Sequence, residues 1–345
     1  MTAWPLLIWL ALLLPGAARA LPATESEMWI RPKAPGEALI WGRRDGLIFG
    51  LPSPGGIRGP RGLIRVGVIG RNGEAELVNF IAIEPVTKGA GSRFSRMAFS
   101  ELEMSALDAG QRGKRLWVET AAGELTALPA KPQPIERLSV RVDMEPFMAN
   151  GARVYVIASV YSDRPGELEL AVYHHDDSAP IEELTLTATM GNYERLRYLW
   201  LARRVVDSRD LYAGYTGDAF VDKQNYLRDE MLMYGDGDAL VLATSNEEDP
   251  SSVQVSERPW WTYRSIRLTQ YWRVPAWHIQ PDLRVKVNGR RVYWNSTIPI
   301  PGGLSFENFE VRQRYVPAQV FVFGLTPKQP WEFVPSIPGL AARPQ

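Results

Sequence analysis

Two of the three histidines in this 345-residue chain are adjacent, in AVYHHDDSAP (171–180), with two aspartates directly behind them. Such a group would bind a metal or move a proton if its side chains met. Along a strand, however, successive side chains point to opposite faces. Leu168, Leu170 and Val172 form one apolar face that His174 continues, while Glu169, Ala171, Tyr173 and His175 take the other. The two imidazoles then cannot serve one site. Asp176, Asp177, Ser178 and Pro180 have the composition of a strand running out into a turn, because Asx side chains bond the backbone two residues on. His175 is left as a candidate general base beside Tyr173 at a sheet end.

The stretch PIPGGLSFENFEVRQRY (299–315) offers a carboxylate. Its Pro-Gly-Gly turn opens into a strand whose alternation sets Glu307 with Phe309, Val311 and Tyr315, and Glu310 with Arg312 and Arg314. On an aromatic face, desolvation raises a carboxyl pKa and suits Glu307 to general acid work. The competing reading is a buried glutamate bonded to an arginine. Glycoside hydrolysis uses a second carboxylate, which the sequence does not single out; Asp218, Asp229 and Glu230 are unranked candidates.

Arg195 and Arg197, in GNYERLRYLW, share a face if that segment is a strand, which makes a fork for an anion; Arg273, Arg290 and Arg291 would extend it. With Tyr271, His175 and Asn308 these are the residue types a uronate lyase needs. Arginine or asparagine neutralises the carboxylate, and tyrosine or histidine removes the proton beside it. Seven of the twelve tryptophans lie from Trp200 onward, in stretches such as RPWWTYRS, TQYWRVPAW and VYWNSTIP. Exposed rings are flat platforms for the apolar faces of sugars, and Trp272 and Trp294 are expected to hold substrate in this way. Buried rings in the same strands would instead fill a core.

Composition narrows the chemistry further. The chain has no cysteine, which excludes disulfides, zinc–thiolate sites, iron–sulfur clusters and cysteine nucleophiles. Three histidines argue against a multi-histidine metal site, so no cofactor is expected, with a structural calcium at GDGDAL (235–240) left open. The 39 basic and 39 acidic residues cancel, so no global field favours nucleic acid. No G-x-S-x-G, H-E-x-x-H or S-x-x-K pattern occurs.

The elements that must carry these residues read as strands. Short alternating runs such as RLSVRVDM, RVYVIASVYS, ELELAVYHH and AQVFVFGL are cut by Gly, Pro, Asn and Asp. The expected fold is all-β, an antiparallel β-sandwich of jelly-roll or supersandwich type, in two packed β units. SDRPGE reads as a hairpin connection and the Asn-Gly of KVNGRRVYW as a tight turn. ERLRYLWLARRVVDSRDLY fits either a strand pair or a helix.

Residues 1–20 have the run Leu6–Leu14, then Pro15-Gly16 and Ala18-Arg19-Ala20, the pattern of a secretory leader cleaved after Ala20. A unit over 21–130, a second over 136–326 carrying the candidate site, and a Pro-rich tail over 327–345 without packing follow, divided at ALPAKPQPIERL; one continuous sandwich is the alternative. The resulting expectation is a secreted or periplasmic protein, with no membrane span after leader removal, that engages a polysaccharide or oligosaccharide. It would cleave that glycan by hydrolysis or elimination. The alternative is a non-catalytic glycan-binding or structural cell-envelope protein.

Overall fold

A computed structural model describes residues 28–51, 62–88, 95–97, 116–147, 149–189, 195–221, 223–245, 261–263, 268–292, 297, 299–300 and 302–334. The leader with its cleavage position, the rings of Trp260 and Trp261, Trp294 and the glycine-rich loop 55–61 lie outside what is described.

The fold is an all-β, almost wholly antiparallel sandwich of two large packed sheets. The first sheet runs in the order Trp29–Ile30, Ile40–Arg43, Leu47–Gly50, Ile64–Ile69, Ala75–Lys88, Ile181–Thr189, Ser305–Arg314, Arg284–Arg290 and Gln224–Leu227. Ser95–Met97 and the parallel Trp261–Tyr263 also pair with Ala75–Lys88. Strands from both sides of the Pro-rich stretch 127–138 thus share this sheet.

The second sheet runs Val205–Asp207, Tyr198–Trp200, Asp238–Thr244, Thr269–Val274, Gln319–Thr326, Glu167–His174, Val154–Tyr161, Ile135–Met144 and Leu116–Trp117. Leu232–Tyr234 and Glu124–Leu128 attach beside it.

Alternation does the packing. Leu168, Leu170 and Val172 from one strand and Val154, Val156 and Ala158 from its neighbour are fully buried between the sheets. There they meet Ile81, Leu186, Phe309 and Val311 of the first sheet in one core. Each valine, leucine or isoleucine among them contributes about 1.5–3 kcal/mol when removed from water. The core also carries bonds from sheet to sheet. Trp272 donates its indole N–H to the Phe309 carbonyl (2.9 Å), and Asn79 donates to Gln270 (2.6 Å). Buried tryptophan needs such a partner, since an unmet N–H in the interior costs about 1–3 kcal/mol.

Three local readings change in the structure. SDRPGE is the expected hairpin connection between Val154–Tyr161 and Glu167–His174, but Asn288-Gly289 is no turn. It lies inside the strand Arg284–Arg290 at a bulge, where Asn288 pairs with Asn308 and Gly289 with Phe306. A Cβ on Gly289 would stand 2.8 Å from the Ser305 carbonyl and 3.1 Å from the Tyr212 ring, so close approach of the chains explains the glycine.

The same bulge makes Glu307 the extra residue of its strand. Phe306, not Glu307, therefore packs in the core with Phe309 and Val311, because a bulge breaks the two-residue alternation. The ambiguous segment resolves as the strand pair Tyr198–Trp200 and Val205–Asp207 followed by a short helix, Ser208–Leu211, capped by the Asp207 carboxylate on the Arg209 N–H. In the Pro-rich tail, Pro330–Phe333 also forms a short helix, and Trp331 packs on Trp200 with ring centroids 5.9 Å apart.

Candidate functional site

AVYHHDDSAP closes a strand. Glu167–His174 ends there, and the chain turns through Ser178, whose N–H bonds the His175 carbonyl. The imidazoles diverge as alternation requires. His174 meets the Tyr315 hydroxyl at 3.1 Å, while His175 sets its ring edge-on to Tyr155, centroids 5.2 Å apart.

Tyr155 and Tyr173, opposite each other in register, stack at 5.0 Å with an interplanar angle of 6° on the solvent side of the second sheet, both half-buried. Arg141, from the next strand, lies over the far face of Tyr155 at 4.1 Å and also bonds Asp143. That arrangement combines a stack with a cation–π contact.

The third histidine comes to the same end of this sheet. Strands 167–174 and 269–274 both pair antiparallel with 319–326, with Glu169 and Arg273 flanking Val322, so the two run in the same direction. The chain leaves Val274 through Pro275 into the 3-10 turn Ala276–His278. Burial pulls the His278 pKa down, with the Glu169 charge opposing, which favours the neutral ring. Beside it, Trp277 is 78 % exposed, its ring 6.1 Å from that of His278. Trp277 lies in the same TQYWRVPAW stretch as Trp272, the ring expected from the sequence to hold substrate. Neighbouring rings alternate faces, and only the fold tells which one leaves the core.

Behind this rim lies a locked ion network. Arg273 donates through Nε to Glu167 (3.1 Å), through Nη2 to the other Glu167 oxygen, and through Nη1 to Asp238 (2.6 Å). Asp238 also accepts the Ala276 N–H (2.9 Å), which pins the turn that presents Trp277. Tyr271 donates to Glu167 (3.0 Å) and is 3 % exposed. Burial, then the Glu167 carboxylate, push its hydroxyl pKa well above the ordinary value. Tyr271, expected as an accessible base, therefore keeps its proton and stabilises Glu167.

The other expected groups are also placed in the interior. Trp272 is a core residue, edge-on to Phe323 at 5.1 Å, and offers no platform. Arg195 and Arg197 are buried rather than forming an open fork. Arg197 donates to the Gly303 carbonyl (2.7 Å) and to Leu304, anchoring the turn before the strand 305–314. The bridge between Leu196 and Phe306 sets Arg195 opposite Glu307, and both are buried. Asn308 accepts from Thr189 (3.0 Å). Arg290 stands over Phe220, and Arg291 pairs with Asp218 at 3.4 Å. Glu230 pairs with Arg204 and caps Leu227. The structure thus gathers Tyr271 with Arg273, and Arg195 with Glu307, but leaves His175 apart from both pairs. GDGDAL (235–240) makes the turn after Leu232–Tyr234 and enters the strand Asp238–Thr244; among the described residues no group of three His, Asp or Glu is arranged to hold a metal.

The outer face of the first sheet is polar. Thr187 bridges Glu84 (2.7 Å) and Glu310 (3.1 Å), and Lys223 pairs with Glu310 (2.7 Å). Glu183 takes Arg284 (2.7 Å) and Arg312 (2.6 Å). Burial pulls the Glu183 carboxyl up, but the hydrogen bonds and charges of the two arginines outweigh it and hold the pKa below the usual range. A lowered folded pKa contributes stability that is present above the unfolded value of about 4.3 and lost as pH falls through the folded one. Glu183→Gln is therefore expected to lower the unfolding midpoint at pH 7 and to flatten its decline on the acid side, read by thermal denaturation from pH 7 down to pH 3. An acid limb as steep as in the parent would contradict this role.

Compared with protein-family models, curated proteins and solved structures, the chain matches none.

Proposed function

We propose that this is an exported carbohydrate-engaging protein whose glycan lies against the histidine-bearing end of the second sheet, and that it binds rather than cleaves. The observation that carries the reading is the exposure of Trp277, set against the complete burial of Trp29, Trp41 and Trp272. A tryptophan presented by a pinned turn with most of its surface in water offers a flat platform, and ordering its two side-chain torsions costs little entropy.

The apolar face of a pyranose would rest on Trp277, and the Tyr155 and Tyr173 hydroxyls and the His175 imidazole, two to three strands away across the sheet, would meet hydroxyl groups of other sugar units of the same glycan. Binding is favoured over cleavage because Tyr271 and Arg273 are committed to Glu167, and Glu307 is buried. Export rests on the leader-like sequence of residues 1–20.

The test is retention on neutral and uronate polysaccharides, with released reducing ends and unsaturated products followed in parallel. The parent protein is expected to be retained without releasing either product. Trp277→Ala is expected to lose retention while its free energy of unfolding stays within about 0.5 kcal/mol of the parent, as for other exposed positions. Equal retention by parent and variant would remove Trp277 from the site, and catalytic release would restore the cleaving alternative.

A further inference from the structure

The polar face of the first sheet carries a row of cations, three of which are ion-paired, on two carboxylates. Arg284 and Arg312 share Glu183, and Lys223 takes the Glu310 oxygen at 2.7 Å. Lys286 is the exception. It stands in register between Asn225 on one side and Glu310 on the other, half-buried, without an ion pair of its own among the described residues. The groups facing it are Arg284 on its own strand, Glu310 and Arg312 on the neighbouring strand, and Lys223 at the start of the edge strand.

We infer that Lys286 is a reactive amine of this protein, a modification site at which its Nζ condenses with small aldehydes. In that step the nitrogen lone pair attacks the carbonyl carbon and a C–N bond forms. The carbonyl oxygen leaves as water, taking up the two amine protons, and an imine remains. The reaction needs the neutral amine, and the surroundings favour it. Burial penalises the ammonium most; Glu310 opposes that effect, and Arg312, Lys223 and Arg284 add repulsion, so the pKa is lowered overall. Lysines next to other cations, or desolvated, are the ones that act as nucleophiles near neutral pH. Lys223 supplies the device: by holding Glu310 it denies Lys286 the counter-ion that would keep it charged.

The chain has only seven lysines, so each can be followed separately. The full chain would be treated with limiting formaldehyde and cyanoborohydride at pH 7, the hydride trapping each imine as a methylamine, and labelling read lysine by lysine by peptide mass spectrometry. Lys286 is expected to label several-fold faster than the reference lysines Lys33 and Lys328. The advantage should shrink as the pH is raised towards 10, where the other amines also lose their protons. Labelling no faster than Lys33 would overturn the inference, whether through a charged amine or a shielded one. Lys223→Met gives an independent reading. Glu310 is then released towards Lys286, whose labelling should fall while that of Lys33 is unchanged; an unaltered Lys286 rate would overturn the account.

Discussion

Arg273→Met is expected to lower the free energy of unfolding by roughly 3–5 kcal/mol, the penalty for removing one partner from a buried ion pair. The Arg273 side chain is only 12 % exposed, and its guanidinium engages both Glu167 oxygens and one oxygen of Asp238. Methionine keeps much of the apolar stem but leaves shielded Asp238 without its cation and Glu167 with only the more distant Arg164, at 3.6 Å. Arg273→Lys should fall between parent and methionine variant, since an ammonium retains the charge but cannot reproduce the planar fork. Denaturant titration at pH 7 measures the three proteins. Because Asp238 also accepts the Ala276 N–H, the methionine variant should in addition weaken glycan retention through a loosened Trp277 turn. A stability loss below about 1 kcal/mol, the range of surface pairs, would show that water screens the network.

Trp272→Ala should cost about 3–5 kcal/mol, the range for removing a large buried aromatic. The ring is fully buried, packs edge-on against Phe323, and donates its N–H from the second sheet to the Phe309 carbonyl of the first. Trp272→Phe separates the two contributions. It keeps most of the apolar bulk and removes only the donor, so its cost should lie nearer the roughly 1 kcal/mol of a single hydrogen bond plus the small gap left behind. Urea midpoints with unchanged m-values would read this as lost stability rather than altered compactness. If the phenylalanine variant instead kept full stability and lost glycan retention, Trp272 would return as a platform.

The residues around His174 and His175 show how far a sequence reaches by itself. Alternation over ELELAVYHH decided that Leu168, Leu170 and Val172 are core, that the imidazoles diverge, and that the aspartates begin a turn, because a strand's two-residue period is a local property. The all-β class followed from the same periodicity repeated along the chain. The absence of cysteine settled by composition alone which sulfur chemistry is impossible.

Tertiary structure decided everything that depends on which face meets what. The bulge at Asn288-Gly289 exchanged Phe306 for Glu307 in the core, and no local pattern announces a register slip that a distant strand imposes. Arg273 and Tyr271 read as site residues because a guanidinium and a phenol look alike in sequence whether they face substrate or Glu167, which lies more than a hundred positions away. Trp277 and Trp272 differ by five positions, one in water and one in the core. The choice between them belongs to the chain's exit from the strand at Val274, where Pro275 and the Asp238 cap turn it outward. Local periodicity is written in the sequence; the partners of a buried charge or ring are set by pairings between distant strands, and those exist only once the sheets have closed on each other.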